Sequence, residues 1–355
     1  MLDDRSLAFL KRLLDAPGPS GFEQVPARLW RDEAQSFAAV DVDVAGNSMA
    51  TVNPSGAPRV MLAGHVDEIG VMVVHVDDEG FLHFGAIGGW DSQVLVGQRV
   101  VLQGRAGPVA GVVGKKAIHL MKKEDRDKVS KITDLWIDIG AANKAEALER
   151  VRVGDAGVIA SQALELPNGR IASRSIDNRI GAFVVLEALR RLAADPPRAC
   201  AVAVGTTQEE IGVSGGGART SAFHLDPQAA VVVDVTHASD FPGAEKKEQG
   251  DFKLGGGPVI CRGSAVSRVV FEQLVAAAEA EGIPFAIEAA PRYTSTDADQ
   301  IYTSRRGIAT GLVSVPCRYM HSPNEMVAYD DLDRAAALLA AWVRRLEPTT
   351  SFIPA

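Results

Sequence analysis

Cysteine is scarce in this chain of 355 residues: Cys200, Cys261 and Cys317 are few, odd in number and far apart. No Cys-x-x-Cys occurs, which argues against a disulfide framework or a thiolate zinc site and fits a reducing compartment. No apolar run reaches the roughly 20 residues needed to span a bilayer. The start, Met1 to Arg5, leads into an amphipathic pattern (Leu7, Phe9, Leu10, Leu13, Leu14) and lacks the basic opening of a signal peptide, so a cytosolic location is expected. There is no basic stripe. The formal charge is −8, and Lys115-Lys116 and Lys122-Lys123 read as solvated faces, so neither nucleic acid nor membrane is expected as a partner. The glycine stretches Gly215–Gly217 and Gly255–Gly257 match neither a Walker loop nor a GxGxxG turn. Gly263-Ser264 lacks the following glycine of a serine-hydrolase elbow.

What is present has two textures. Residues 1–70 read as helix, turn, helix and strands, with Pro17 to Gly21 breaking the first helix and Arg59 to Ala63 delivering His65 at a strand end. From 71 to 161, short Val-rich runs alternate with Gly and acidic turns every eight to twelve residues or so, the rhythm of a small barrel or sandwich. After a hairpin turn at Leu166 to Gly169, apolar strands (Cys200–Gly205, Ala229–Val233, Phe285–Glu288, Thr310–Val315) alternate with amphipathic helices. This predicts a mostly parallel sheet flanked by helices, formed by 1–70 and 162–355, with 71–161 as an inserted β-barrel domain.

Five segments put metal-type ligands where a strand runs out or a helix begins: Gly64 to Glu68, Ser175 to Asn178, Gln208 to Gly212, Val233 to Val235 and Tyr319 to Ser322. In such sheets ligands collect at the carboxyl ends of strands, and His65, Glu209, Glu210, Asp234 and His321 are all expected just past one. Asp177 precedes a long helix from about Arg179, where the helix dipole favours a carboxylate and where a plain N-terminal cap is an equal reading. His65-x-Asp67 suits a metal-bound imidazole whose other N–H is held by a carboxylate, although a surface histidine beside acidic residues is as common. Glu209 and Glu210 are adjacent on extended backbone and point to opposite sides, so one can bind metal while the other faces the attacking water. Two imidazoles and three or more carboxylates suffice for two zinc-like ions and a spare base. His237, three residues past Asp234, is the further histidine to watch.

GHVDEIG, SIDNRIG, TTQEEIGVSGG, VVVDVTHASD and CRYMHSP, in that order, resemble peptidase family forty-two, the tetrahedral (TET) aminopeptidases; GPSGFE, KLGGGPVI and Thr296-Asp297-Ala298 add to the match. The resemblance implies that Asp177 bridges two divalent metals, zinc with cobalt or manganese as alternatives. His65 and Asp234 complete one site, and Glu210 with His321 the other. It further implies that Glu209 is the general base, that Asp67 orients His65, and that the inserted barrel is a dimerisation domain. Often the particle is a hollow homo-oligomer of twelve subunits that degrades short peptides. Ser295 stands where a Gly commonly precedes the Thr-Asp-Ala triplet, Cys317 replaces a common Thr, and Arg305-Arg306 is unusually basic.

The leading reading is therefore a metal-dependent aminopeptidase that activates water between two ions. An endoglucanase-like glycosidase is the first alternative; it needs two opposed carboxyls and leaves both histidines without a purpose. A non-catalytic oligomeric scaffold is the second, and a dinuclear deacylase or carboxypeptidase differs only in the substrate end it reads. Arg292, Arg305 and Arg306 around Thr296-Asp297-Ala298 read either as a pocket for an acidic first residue or as solvated side chains and partners of acids at a subunit contact, in which case a large aliphatic first residue is expected.

Overall fold

The computed structural model describes residues 2–212 and 216–354. Its centre is an eight-stranded sheet. In spatial order the strands are Ala39–Val42, Ser48–Val52, Cys200–Thr206, Arg59–His65, Ala229–His237, Ala309–Cys317, Val259–Gly263 and Ala286–Ala290. The four central neighbours from Cys200–Thr206 to Ala309–Cys317 are parallel; the two strands on one flank and the junction with Val259–Gly263 are antiparallel. The expected mostly parallel sheet is thus parallel where it is most buried and mixed towards its edges. That is the physical requirement: parallel strands need cover on both faces, whereas flanking strands can be added by short turns.

Helices cover both faces unequally. One face carries Asp4–Asp15, Gln24–Ala34, Ile176–Ala194, Arg268–Ala280 and Tyr329–Arg344, whose buried Phe9, Trp30, Phe183, Leu274 and Trp342 form the main core. The other carries Gly216–Leu225 and Ala298–Ile301 over a smaller core around Met61 and Val202. The central helix lies unusually close to the sheet. A Cβ at Gly64 would stand 2.4 Å from the carbonyl carbon of Gly181, so the strand carrying His65 and the helix that follows Asp177 meet backbone to backbone.

The barrel is a closed six-stranded unit of Gly70–Val76, Leu82–Ile87, Leu135–Asp138, Gly107–Lys115, Arg99–Gly104 and Ala156–Ile159, antiparallel throughout. Closure leaves no strand edge to solvent, and Val71, Leu82, Leu102, Val113 and Ile137 fill the interior. A third, three-stranded sheet pairs the hairpin Leu164–Leu166 and Arg170–Ser173 with Glu325–Ala328, placing Ser173 opposite Glu325. Among the described residues, no helix is long and apolar enough to cross a membrane.

Candidate active site

The topology draws the five segments to one edge of the large sheet. His65 is the last residue of its strand and is buried. Its Nε2 lies 3.3 Å from Asp177 Oδ1 and 3.7 Å from Glu209 Oε2, and its Nδ1 lies 3.4 Å from Asp67 Oδ1. Asp177 turns its other oxygen to the second imidazole: His321 Nε2 lies 3.4 Å from Asp177 Oδ2 and 3.3 Å from Glu210 Oε2. Side-chain donors of His65, Asp177 and Glu210 fall within 4.8 Å of one another, as do those of His65, Glu209 and Asp234.

Asp234 departs from expectation. It lies inside a strand, not past its end, because Ala229–His237 continues in register with Ala309–Cys317 through the pairs Asp234–Ser314 and His237–Cys317. The sheet edge is stepped, and its longest strands carry Asp234 up to the level of His65. Around Asp177 the chain enters the helix late: Asp177 and Asn178 have non-helical φ/ψ, and the peptide between them is cis. Asn178 fastens this entry by donating to Val233 O at 2.7 Å and accepting from Gly181 N at 3.0 Å.

Asp67 does more than face His65. Its two oxygens accept the backbone N–H groups of Glu209 and Glu210 at 3.2 and 3.1 Å, which fixes the carboxylate pair as well as the imidazole. Sequence reasoning missed a comparable residue, Glu325. Its carboxylate accepts from His321 N at 2.7 Å and from Asp177 N at 2.9 Å, so one buried side chain sets two segments. Asp297 is buried beside this centre and accepts the Thr206 hydroxyl. Gln208, Tyr319, His321 and Ser295 all adopt positive φ, between 58° and 62°, a region uncommon for residues other than glycine and frequent where a chain is bent for function. Ser295 holds this conformation without the freedom a glycine would have there.

The electrostatics are those of a carboxylate cluster with too little positive charge. Burial, then the His65 charge opposing it, then Asp234 and Asp297, leave the Glu209 carboxyl pushed up to about 10. Glu210 is raised to about 7 by burial and by Asp177. Burial also drives Asp234 well above the ordinary carboxylate range. In Asp177 burial is outweighed by the two imidazoles and the pKa falls. His321 rises to about 11 through its contacts with Asp177 and Glu210, and His65 rises despite burial because Asp67, Glu209 and Asp177 surround it. Glu210 Oε1 is buried without a hydrogen-bond partner. Carboxylate oxygens and imidazole nitrogens with one orphaned oxygen form a donor set that could hold a divalent cation.

A cavity of about 1140 Å³ opens onto this centre, lined by Asp177, Glu209, Glu210, Asp234, Asp297 and His321 on one side and by Glu288 to Ala290 and residues 293–296 on the other. His237 stands exposed on its wall and touches none of the clustered ligands closely enough to join them. Arg292, Arg305 and Arg306 do not line it. Arg305 instead lies over the Phe223 ring at 4.1 Å and donates to Phe223 O at 2.6 Å, its charge turned away by a stacking contact. The N–H groups of Gly255 and Gly257 are taken by the Asp331 carboxylate at 2.7 Å each, so that stretch is a helix-start clamp and not a phosphate loop. Gly215 of the other stretch lies outside the described residues.

A family model described as M42 glutamyl aminopeptidase matches residues 46–338. The lysyl aminopeptidase of Pyrococcus furiosus is 34% identical over 349 residues, covering 96% of this chain and 97% of that protein. Among solved structures, the TET aminopeptidase of the marine sediment archaeon Thaumarchaeota archaeon SCGC AB-539-E09 superimposes with a TM-score of 0.92 at 34% identity, covering 97% of each chain. The TET1 peptidase of Pyrococcus horikoshii, which can assemble into a tetrahedron or a large octahedral shell, gives 0.85 at 32% identity, covering 96% of this chain and 100% of that one. With the matched region running from 46 to 338, and so from before His65 to beyond His321, the chain belongs to the M42 glutamyl aminopeptidase family.

Proposed function

We propose that this aminopeptidase works through a dinuclear metal centre with Asp177 as the shared ligand, His65 and Asp234 on one side, and Glu210 and His321 on the other. The observation that carries this reading is the splitting of Asp177, whose Oδ1 faces one imidazole at 3.3 Å while its Oδ2 faces the other at 3.4 Å. Two divalent ions, zinc in the first instance, would supply Lewis acidity and lower the pKa of water held between the ligands. Glu209 is the general base: it takes the proton of the attacking water and returns it to the leaving amine. Its raised pKa reflects a cluster short of positive charge, and cations among the ligands reverse that direction. Asp67 holds His65 and the Glu pair in place, and Glu325 does the same for His321 and Asp177.

The division of labour is part of the proposal. Residues 1–70 and 162–355 form the catalytic domain, and 71–161 serve dimerisation within a homo-oligomer, a tetrahedral dodecamer in its simplest form. Its substrates are short peptides. Three buried, unpaired cysteines suit a reducing, cytosolic setting. A panel of free and N-acetylated aminoacyl anilides, assayed as isolated, after chelation and after adding back zinc, cobalt or manganese, tests the reading. Free amines alone should be cleaved, and only with metal. Full activity after chelation overturns the metal centre, and cleavage of acetylated substrates overturns the aminopeptidase assignment in favour of a deacylase.

A further inference from the structure

The wall of the cavity facing the ligand cluster includes Glu288 to Ala290 of the strand Ala286–Ala290, whose alternation contains an anomaly. Ala286, Glu288 and Ala290 are half-buried, while Ile287 and Ala289 are exposed, and Glu288 and Ala290 both line the cavity. An inward position on such a strand calls for an apolar residue, and Glu288 supplies a carboxylate. The side chain is half-buried, and its Oε1 accepts the Thr236 hydroxyl at 2.8 Å. Among the described residues, no basic side chain forms an ion pair with it, and no Lys or Arg lines the cavity. The nearest basic group is His237, exposed at the end of the strand that holds Thr236.

The other carboxylate on that wall is already used. Asp299 accepts from Thr294 N, Ser295 N and the Thr294 hydroxyl, which shapes residues 294–296 and leaves it little capacity for a ligand. Glu288 retains a free oxygen. Its position relative to the reacting centre follows from Thr236, two residues beyond Asp234 on the same strand. Alternate residues share a face and stand roughly 7 Å apart, so Glu288 lies about one side-chain length past Asp234. Leu312 and Ala290 give the space between an apolar lining. Cys261, directly opposite Glu288 in the sheet, has its thiol pushed up to about 12 by burial and then by Glu288 and Asp299, so both carboxylates bear on one spot.

We propose that Glu288 makes this pocket selective for peptides whose first residue is cationic, lysine above all. A four-carbon stem ending in an ammonium suits an apolar passage closed by a single carboxylate. This inference rests on the aminopeptidase reading and refines it, and it replaces the acidic-residue pocket suggested by Arg292, Arg305 and Arg306.

The test compares lysyl-, norleucyl- and glutamyl-p-nitroanilides on the metal-loaded enzyme, since norleucine keeps the lysine stem and lacks only the ammonium. In the wild type, kcat/KM for lysyl should exceed norleucyl by roughly tenfold or more, the usual worth of a hydrogen bond to a charged group. Glu288→Gln should bring the lysyl-to-norleucyl ratio towards one, and Glu288→Lys should move the preference to the glutamyl substrate. Norleucyl equal to or better than lysyl in the wild type overturns the proposal while leaving the aminopeptidase intact. An unchanged ratio in Glu288→Gln overturns the assignment to this residue. Failure to cleave any of the three anilides overturns the underlying reading and this one with it. The wild-type ratio needs no variant, so a poorly folding Glu288→Lys leaves the test decisive.

Discussion

Along the edge of the large sheet, His65, Asp67, Glu68, Asp177, Asp234, Asp297 and Glu325 are all buried; across the six barrel strands and their connections, from Gly70 to Ile159, the only buried charged residue described is Asp155. Both regions have well-filled apolar interiors. They differ in what they spend it on. Burying a carboxylate without full pairing costs several kcal/mol, and the barrel avoids that cost while the sheet edge accumulates it. Some of the sheet-edge charge is structural: Glu68 is paired with Arg179 at 2.7 Å and Arg174 at 2.9 Å. The remainder is matched by only two imidazoles. Strain of this kind, confined to one edge, separates the chemical part of the molecule from its supporting part.

The contrast can be broken most completely by removing metal. Chelation should abolish hydrolysis and Zn²⁺, Co²⁺ or Mn²⁺ restore it, while the barrel's β signal in circular dichroism stays in place. Glu209→Gln comes next, with kcat expected to fall by roughly 10²–10⁴-fold and metal content by elemental analysis unchanged. Glu210→Gln should instead lower metal content, and the reverse pattern would swap the two roles. Third is Glu325→Ala, which frees the His321 and Asp177 amides. Metal affinity should weaken by roughly 10–100-fold, measured by competition with a chelating dye, and a variant that binds metal as the wild type does refutes the positioning role. Excising 71–161 should yield smaller particles in light scattering with less activity on peptides; a deletion that still runs at the parental size removes the assembly role. The smallest effect is expected for Gly89→Ala, a change of a few-fold in KM, read with the best anilide.

Much of the candidate cluster was legible because strands announce their ends. His65 and the Glu209-Glu210 pair each close an apolar run, and a mostly parallel sheet brings such ends together. Asp234 was found for the same reason, although its strand runs on through Thr236 and His237; those polar residues hid the continuation, which only pairing with Pro316 and Cys317 reveals. Glu325 carried no local signal. It follows a turn and opens a short strand, and its importance comes from the pairing of Ser173 with Glu325, a contact between distant segments. The arginines near Thr296-Asp297-Ala298 show that proximity in sequence does not set direction: Arg305 stacks on Phe223 and does not line the cavity. Glu288 was included in a strand but passed over, for want of knowing which face looked inward.

The connection after the strand Leu82–Ile87 brings the two regions into contact. A Cβ on Gly89 would stand 3.1 Å from His321 Nδ1, and Trp90 Nε1 anchors the same loop to Gly70 O at 2.8 Å. A unit with no ligand of its own therefore grazes an imidazole at the reacting centre with less than a methyl group to spare. A shift of this loop towards the sheet would meet His321 first. The spacing admits the hydrogen of Gly89, and a side chain there would require a neighbour to give by a few tenths of an ångström, so the barrel's position and the candidate site are fitted to each other at this one loop.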